Sequence, residues 1–243
     1  MSEKTREGET HELEGLFKFR CAPGVSCFNE CCQDVTIFLG PYDVMRLRRA
    51  LGVTAGELLE QHGTVLGSEK HLIPLVNLKM REEDKRCPFV TKEGCSVYPS
   101  RPWACRMFPL DVTEDGKSFR VVIGEDRCKG LNEDEERRVL DYMDDQGTAK
   151  YQVMDDLFGG LVNDSRFKEL DVDNEKVRQM IFMALYDLDH FRKFIFESSF
   201  LQKFEIDDRR VTRLERDDEE LLRFAFEWLE FGLLGKQLFK VRE

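Results

Sequence analysis

The rhythm of apolar and polar positions changes twice along the chain. Phe17 and Phe19 alternate with charged residues, and Val35, Ile37 and Leu39 repeat that period of two, which predicts short extended segments near the start. Helical spacing follows. Val44, Leu47 and Leu51 share a face between Pro41 and Gly52, and Thr54 with Glu57 three residues on forms a capping box for a helix ending at His62-Gly63. Glu93-Gly94 marks a turn between Phe89-Val90 and Val97-Tyr98, so Cys87 and Cys95 are expected across a tight hairpin. Leu110–Thr113 and Phe119–Ile123 read as two strands turning at Glu114-Asp115-Gly116.

Beyond Gly130 the period becomes helical at length. One or two helices are expected between Asn132 and Phe167, broken at Gly147 and at Gly159-Gly160. Asp173 or Asn174 caps a helix whose stripe is Val177, Ile181, Ala184, Leu188, Phe191 and Ile195. Another starts near Asp217, with Leu221, Ala225, Trp228 and Gly232 on one face and Leu222, Phe226 and Leu229 beside it. The many Phe residues of this half read as core, and His190 within it as structural.

Composition sharpens this division. With 41% apolar residues the chain is an ordinary globular one, and it has no apolar run near the roughly 18 residues of a membrane span. From Leu131 onward 18 Lys and Arg stand against 28 Asp and Glu, a net −10, whereas the first 130 residues carry −1. An acidic half repels phosphate backbones, so nucleic acid is excluded as its partner and a protein partner is expected there. The opening MSEKTREGETHELEG is polar and charged throughout, unlike a secretory signal, which predicts a cytoplasmic location.

The chemistry lies in the cysteines. Cys21, Cys27, Cys31 and Cys32 fall within twelve residues, Cys87, Cys95, Cys105 and Cys128 follow, and the last 115 residues have none. In a reducing compartment such clustering points to metal ligation rather than disulfides. Eight thiols make two sets of four, the number taken by tetrahedral zinc and by cubane iron-sulfur clusters. Because Cys31 and Cys32 are adjacent, they are expected to be shared between two centres or to bridge them. Zinc-ribbon CxxC knuckles and the bacterial ferredoxin run are both absent, so spacing alone leaves the metal open. Five of the fourteen non-cysteine neighbours of a cysteine are basic: Arg20, Arg86, Arg106, Arg127 and Lys129. Positive neighbours favour thiolate and can donate to cluster sulfurs. Arg101 and Arg106, held among Pro99, Pro102 and Pro109, are the candidate cofactor-binding residues. His62 and His71 are weak candidates as further ligands, and none of the four histidines is near a cysteine in sequence, which argues against a Cys-His nucleophile.

The opening that ends in Cys31-Cys32, then CPFV, GCSVYPSRPWACRMFP and a last cysteine, resembles the YkgJ-type cysteine-cluster family, a zinc- or iron-chelating domain. The resemblance spans about Phe19 to Gly130 and implies metal chelation by all eight cysteines. This chain departs from the family's CxxCxxCC opening, with five residues between Cys21 and Cys27 and three before Cys31. The flagellin lysine N-methylase is similar in its cysteine region and is associated with an iron-sulfur cluster and S-adenosylmethionine, which places iron ahead of zinc.

The expected architecture is α+β: a flexible lead-in at 1–15, a small cysteine-rich metal-chelating domain of short strands and helices at 16–130, and an all-α acidic domain at 131–243. The expected function is cysteine-cluster metal binding, with an iron-sulfur cluster or zinc as cofactor. An iron-sulfur-dependent protein-modifying enzyme, such as a lysine N-methylase, is the alternative, and a redox or metal-status sensor a third. No glycine-rich strand-to-helix turn and no CxxxCxxC run is present, and no catalytic residue is assigned.

Overall fold

The computed structural model describes residues 6–67 and 71–242. Its strands are β1 (Thr10–Glu12), β2 (Leu16–Lys18), β3 (Gly63–Leu66), β4 (Leu75–Leu78), β5 (Val90–Thr91), β6 (Gly94–Cys95), β7 (Leu110–Val112), β8 (Ser118–Val121), β9 (Glu136–Arg138), β10 (Phe204–Glu205) and β11 (Lys240–Val241). Its helices are α1 (Pro41–Leu51), α2 (Ala55–His62), α3 (Trp103–Met107), α4 (Val139–Gln146), α5 (Ala149–Val162), α6 (Ser165–Lys168), α7 (Glu175–Tyr186), α8 (Leu188–Glu197), α9 (Phe200–Lys203), α10 (Asp208–Arg216) and α11 (Asp218–Leu234). The class is α+β, with the helices concentrated in the C-terminal half. No helix among the described residues is long and apolar enough to cross a membrane.

Two units result, and they interleave in sequence. One holds residues up to 37 together with 78–151; the other holds 38–77 together with the chain from 152 on. The sequence reading, in contrast, places a single division at 130. Of its expected lead-in, residues 1–5 lie outside the described residues, while Thr10–Glu12 forms β1.

All eight cysteines belong to the first unit. Its sheet runs β1-β8-β7, antiparallel, with Thr10 opposite Arg120 and Leu110 opposite Val121. A second ribbon pairs β2 with β9, Phe17 opposite Arg137. Phe17, Phe19, Met107, Leu110, Phe119, Val121, Leu131, Val139 and Tyr142 close a core that also takes in Cys128. Each such side chain contributes roughly 1.5–3 kcal/mol by burial. Phe17 and Phe19 meet the Tyr142 ring edge-on at 5.3 and 5.8 Å, and the Tyr142 hydroxyl donates to the carbonyl oxygens of Arg106 and Phe108. The alternation read at Phe17 and Phe19 is therefore the wall on which the cysteine loops stand.

In the second unit α11 is central. It packs against α1, α7, α8 and α10, burying Leu221, Leu222, Phe224, Ala225, Phe226 and Leu229. Arg48 of α1 is buried and donates to Asp189 of α8 at 2.9 Å and Asp218 of α11 at 2.7 Å, so three helices are held by one guanidinium. The Phe residues here are core, as expected from their spacing: Phe194, Phe200, Phe204, Phe231 and Phe239 gather around Trp228, and Phe224 packs on Phe200 and Phe239.

Several expected elements take another form. The long helix from Asn174 is two helices, because Asp187 leaves helical geometry and its carboxylate accepts the amide of His190, capping α8. His190 itself is exposed and pairs with Asp187 at 2.6 Å. Helix α5 continues through Gly159-Gly160, with Leu161 fully buried just beyond, so packing overrides the weak local propensity. Val35–Leu39 makes no ladder; only isolated bridges form, Gln33 with Arg86 and Phe38 with Asn77. Val97-Tyr98 is not a strand, since Tyr98–Ser100 winds into a 3₁₀ turn around Pro99.

The N-terminus of α1 generates a pH dependence. Asp43 is buried and accepts the Gly40 amide at 2.9 Å. A Cβ built on Gly40 would lie 3.7 Å from an Asp43 carboxylate oxygen and 3.9 Å from one of Asp155, so both acids face the same spot. Burial first, then the charges of Asp43 and Asp156, push the Asp155 carboxyl up to about 7. A raised carboxyl favours the protonated folded form, so this contribution is complete below about pH 4 and is lost as pH rises towards 7. Asp155→Asn is expected to raise stability at pH 8 by about 1–2 kcal/mol, allowing for partial solvent screening, and to leave it unchanged near pH 4. Urea melts of both proteins across that range check this.

Candidate metal centre

Three stretches of the first unit bring the thiols together. In the first, Cys21 leaves β2, the chain turns at Pro23-Gly24, and Cys27 follows in a further turn. Asn29 takes a left-handed conformation (φ 69°), and the next three residues, Glu30–Cys32, form a 3₁₀ turn that carries the adjacent pair. In the second, Cys87 precedes the β5–β6 hairpin and Cys95 ends it, opposite Val90. Gly94 makes that two-residue ladder possible, with φ +128°, a region closed to side chains bearing a Cβ. Arg81 braces the hairpin by donating to the carbonyls of Cys87 at 3.1 Å and Val90 at 2.8 Å. In the third, Cys128 enters a 3₁₀ turn over Lys129–Asn132. Cys105 lies on α3, just after the proline-rich stretch.

Main-chain pairing docks these stretches. Cys87 donates its amide to the Cys32 carbonyl at 2.7 Å, and Asp34 donates to Lys85 at 2.8 Å. Arg20 donates to the Gly130 carbonyl at 3.0 Å, and the Lys129 amide donates to the Cys27 sulfur at 3.2 Å. The approach of these chains is very close: a Cβ on Gly130 would stand 2.4 Å from the Arg20 carbonyl oxygen. In the sequence Gly130 signals only the end of the cysteine region.

The result is a cavity of about 510 Å³ lined by Cys21, Cys27, Cys31 and Cys128, with Arg20, Arg86 and Arg127 and the acids Glu30, Asp34 and Asp126. Three of the five basic neighbours noted in the sequence thus line it. Arg106 does not: it is buried, stacks on the Tyr151 ring at 4.4 Å and donates to the carbonyls of Arg101, Gln146 and Pro99. Arg101 stacks on Tyr98 at 3.8 Å, donates to the Tyr98 carbonyl and the Gln146 side chain, and acts electrostatically on Cys21, Cys95 and Cys105. His62 and His71 are not part of the cavity lining.

None of the cysteines is in a disulfide. Burial pushes the Cys87 and Cys128 thiols up to about 11 and raises Cys95 as well. The adjacent pair splits. A hydrogen bond between the two sulfurs holds the proton on Cys31, raising it, and lowers Cys32 to about 7, helped by the Arg86 guanidinium. By donor chemistry, free soft thiols in this number fit zinc or an iron-sulfur cluster. As placed, no three His, Cys, Asp or Glu groups among the described residues stand close enough to hold an ion.

Residues 20–129 match a family model described as "CxxCxxCC: Putative zinc- or iron-chelating domain". The match takes in every cysteine of the chain. No curated protein and no solved structure matches. The matched segment contains the eight cysteines and Arg20, Arg86 and Arg127 of the cavity lining, together with the inserted residues 38–77, and it ends one residue before Gly130.

Two outcomes follow from this geometry. Gly130→Ala is expected to cost about 1–3 kcal/mol, because Arg20 has to move away, and to lower metal content with it; thermal melts and metal analysis read both. In metal-free protein at pH 7, Cys32 is expected to alkylate before the other seven, and Arg86→Ala to slow it. Timed iodoacetamide labelling followed by peptide mass spectrometry measures the order.

Proposed function

We propose that this chain is a cysteine-cluster metal-binding protein that holds iron-sulfur through its cysteines. The observation that carries the reading is the cavity lined by four cysteines from two distant stretches of chain, together with three arginines and three acids. Four cysteines around one cavity match the four thiolates of a cubane cluster or of tetrahedral zinc, and the likeness of the cysteine region to that of an iron-sulfur methylase favours iron. Arginine side chains around the cavity and the Lys129 amide on the Cys27 sulfur supply the positive charge and hydrogen bonds that tune a cluster's potential. Thiols that must stay reduced to serve as ligands suit a reducing compartment such as the cytoplasm.

Anaerobic purification with iron, zinc and labile-sulfide analysis and a visible spectrum tests this. A brown protein with iron and sulfide in matching amounts is expected; a colourless protein with stoichiometric zinc overturns the cluster while leaving chelation in place. Cys31→Ser or Cys95→Ser is expected to lose metal and lower the melting temperature, since binding energy at such a site is also folding energy. Full metal content with unchanged melting in either variant removes that residue from the ligand set.

A further inference from the structure

We infer that the eight cysteines form two four-thiol centres, one of Cys21, Cys27, Cys31 and Cys128 and the other of Cys32, Cys87, Cys95 and Cys105. The inference rests on the chelation reading above and fixes what that reading leaves open: how many centres exist and which thiols belong to each.

The first set is the one that lines the cavity, and the other four cysteines are absent from its wall. Its members come from both ends of the cysteine region, joined where Arg20 pairs with Gly130 and where the Lys129 amide meets the Cys27 sulfur. Electrostatic contacts link every pair of the set except Cys27 with Cys31, and Cys32 also acts on Cys21 and on its neighbour Cys31, across the boundary where the two centres adjoin.

The second set gathers at the hairpin. The Cys32 carbonyl holds the Cys87 amide at 2.7 Å, the Cys87 carbonyl accepts the Val90 amide at 3.2 Å, and Val90 pairs with Cys95. Three thiols are thus linked through three successive main-chain pairings. Cys32 acts electrostatically on both Cys87 and Cys95. Cys105 is the remaining thiol absent from the cavity wall and completes the set; Arg101 acts electrostatically on it and on Cys95, as well as on Cys21.

The division falls between adjacent residues, and the 3₁₀ turn over Glu30–Cys32 accounts for it. At three residues per turn, consecutive side chains leave the axis about 120° apart, so Cys31 can serve the cavity and Cys32 the hairpin. Their sulfurs are hydrogen-bonded to each other, so the two centres adjoin. A grouping by sequence order, with the first four cysteines on one centre, would need Cys32 to abandon Cys87, to which its own backbone is tied.

The test uses the anaerobically purified full chain, stripped of metal in steps with bathophenanthroline for iron or EDTA for zinc. Each intermediate is alkylated with N-ethylmaleimide and read by native and peptide mass spectrometry. The loaded chain is expected to carry two centres, and the half-stripped species to show one set of four modified and the other set protected. Protection of Cys31 and Cys32 together in a half-stripped species overturns the partition. So does a chain with one centre only, or simultaneous exposure of all eight thiols; each of these leaves chelation standing. Purified protein that contains no metal, and takes up none on reconstitution, overturns the chelation reading itself. As a second arm, the double variants Cys27→Ala/Cys128→Ala and Cys87→Ala/Cys95→Ala are each expected to retain half the wild-type metal. Should a double variant fail to fold, the footprint on the wild-type chain still decides.

Discussion

Main-chain pairing between distant stretches is the constraint on which the cysteine unit depends. A thiol ligand is useful only where its backbone is held, and here the backbones are held by each other: Arg20 on Gly130, Cys87 on Cys32, Asp34 on Lys85. Behind these pairs stands the core of Phe17, Phe19 and Tyr142, which fixes β2 against β9 and so sets where Cys21 emerges. Arg106 plays the same part from the other side. Its three donor atoms satisfy the carbonyls of Pro99, Arg101 and Gln146, which pins the proline-rich stretch leading into Cys105.

Electrostatics give the arginines near the sulfurs a role although the chain carries a net −11 and three acids share the cavity lining. Burial favours the neutral thiol at Cys87, Cys95 and Cys128, and each further thiolate nearby adds to the penalty. Several thiolates in one place therefore require compensating cations. Arg86 beside Cys32 and Arg101 facing Cys21, Cys95 and Cys105 supply part of that charge, and a bound metal would supply the rest. Cys32 is the member of the adjacent pair poised to ionise, because the Cys31 thiol donates a hydrogen bond to its sulfur, and the same bond makes Cys31 hard to ionise.

What the sequence made legible was local. Thr54 with Glu57 is a capping box in the structure, Gly52 ends α1, and Asp217 caps the helix whose Leu221, Ala225 and Trp228 form a buried face. These signals involve residues within a turn or two of one another, where spacing fixes geometry. The presence of a thiol site was legible for the same reason, since clustering is a local property. The grouping of thiols was not. Cys128 joins Cys21 and Cys27 only because β8 and β9 return the chain to β1 and β2, and nothing in the spacing of Cys128 records a strand pairing. The interleaving of the units was hidden likewise: α1 follows the first four cysteines closely in sequence, but it packs on α7 and α11, and its Arg48 pairs with Asp189 and Asp218, more than a hundred residues further on. Asp187 lies within the apolar stripe that runs from Val177 to Ile195, and its side chain is the cap that divides it.

The placement of the cysteines bears on the cost of ligation. Closing a long flexible loop costs entropy that grows with its length, and Cys32 and Cys87 are separated by the whole of the inserted segment 38–77. That loop is already closed without metal. Ile37 accepts the Leu78 amide at 2.8 Å, Lys85 accepts Asp34, and Gln33 bridges Arg86, so the two ends run together as a neck before Cys32 and Cys87 are reached. Cys21 and Cys128 sit at a second neck, closed where Arg20 and Gly130 pair. Hydrophobic packing and main-chain bonds thus meet the closure entropy in both cases, and ligation has only side chains and short turns left to order. Thiols at the necks of closed excursions leave little main chain to be ordered by a ligand. This follows from where the residues lie in the chain topology, whichever metal they take.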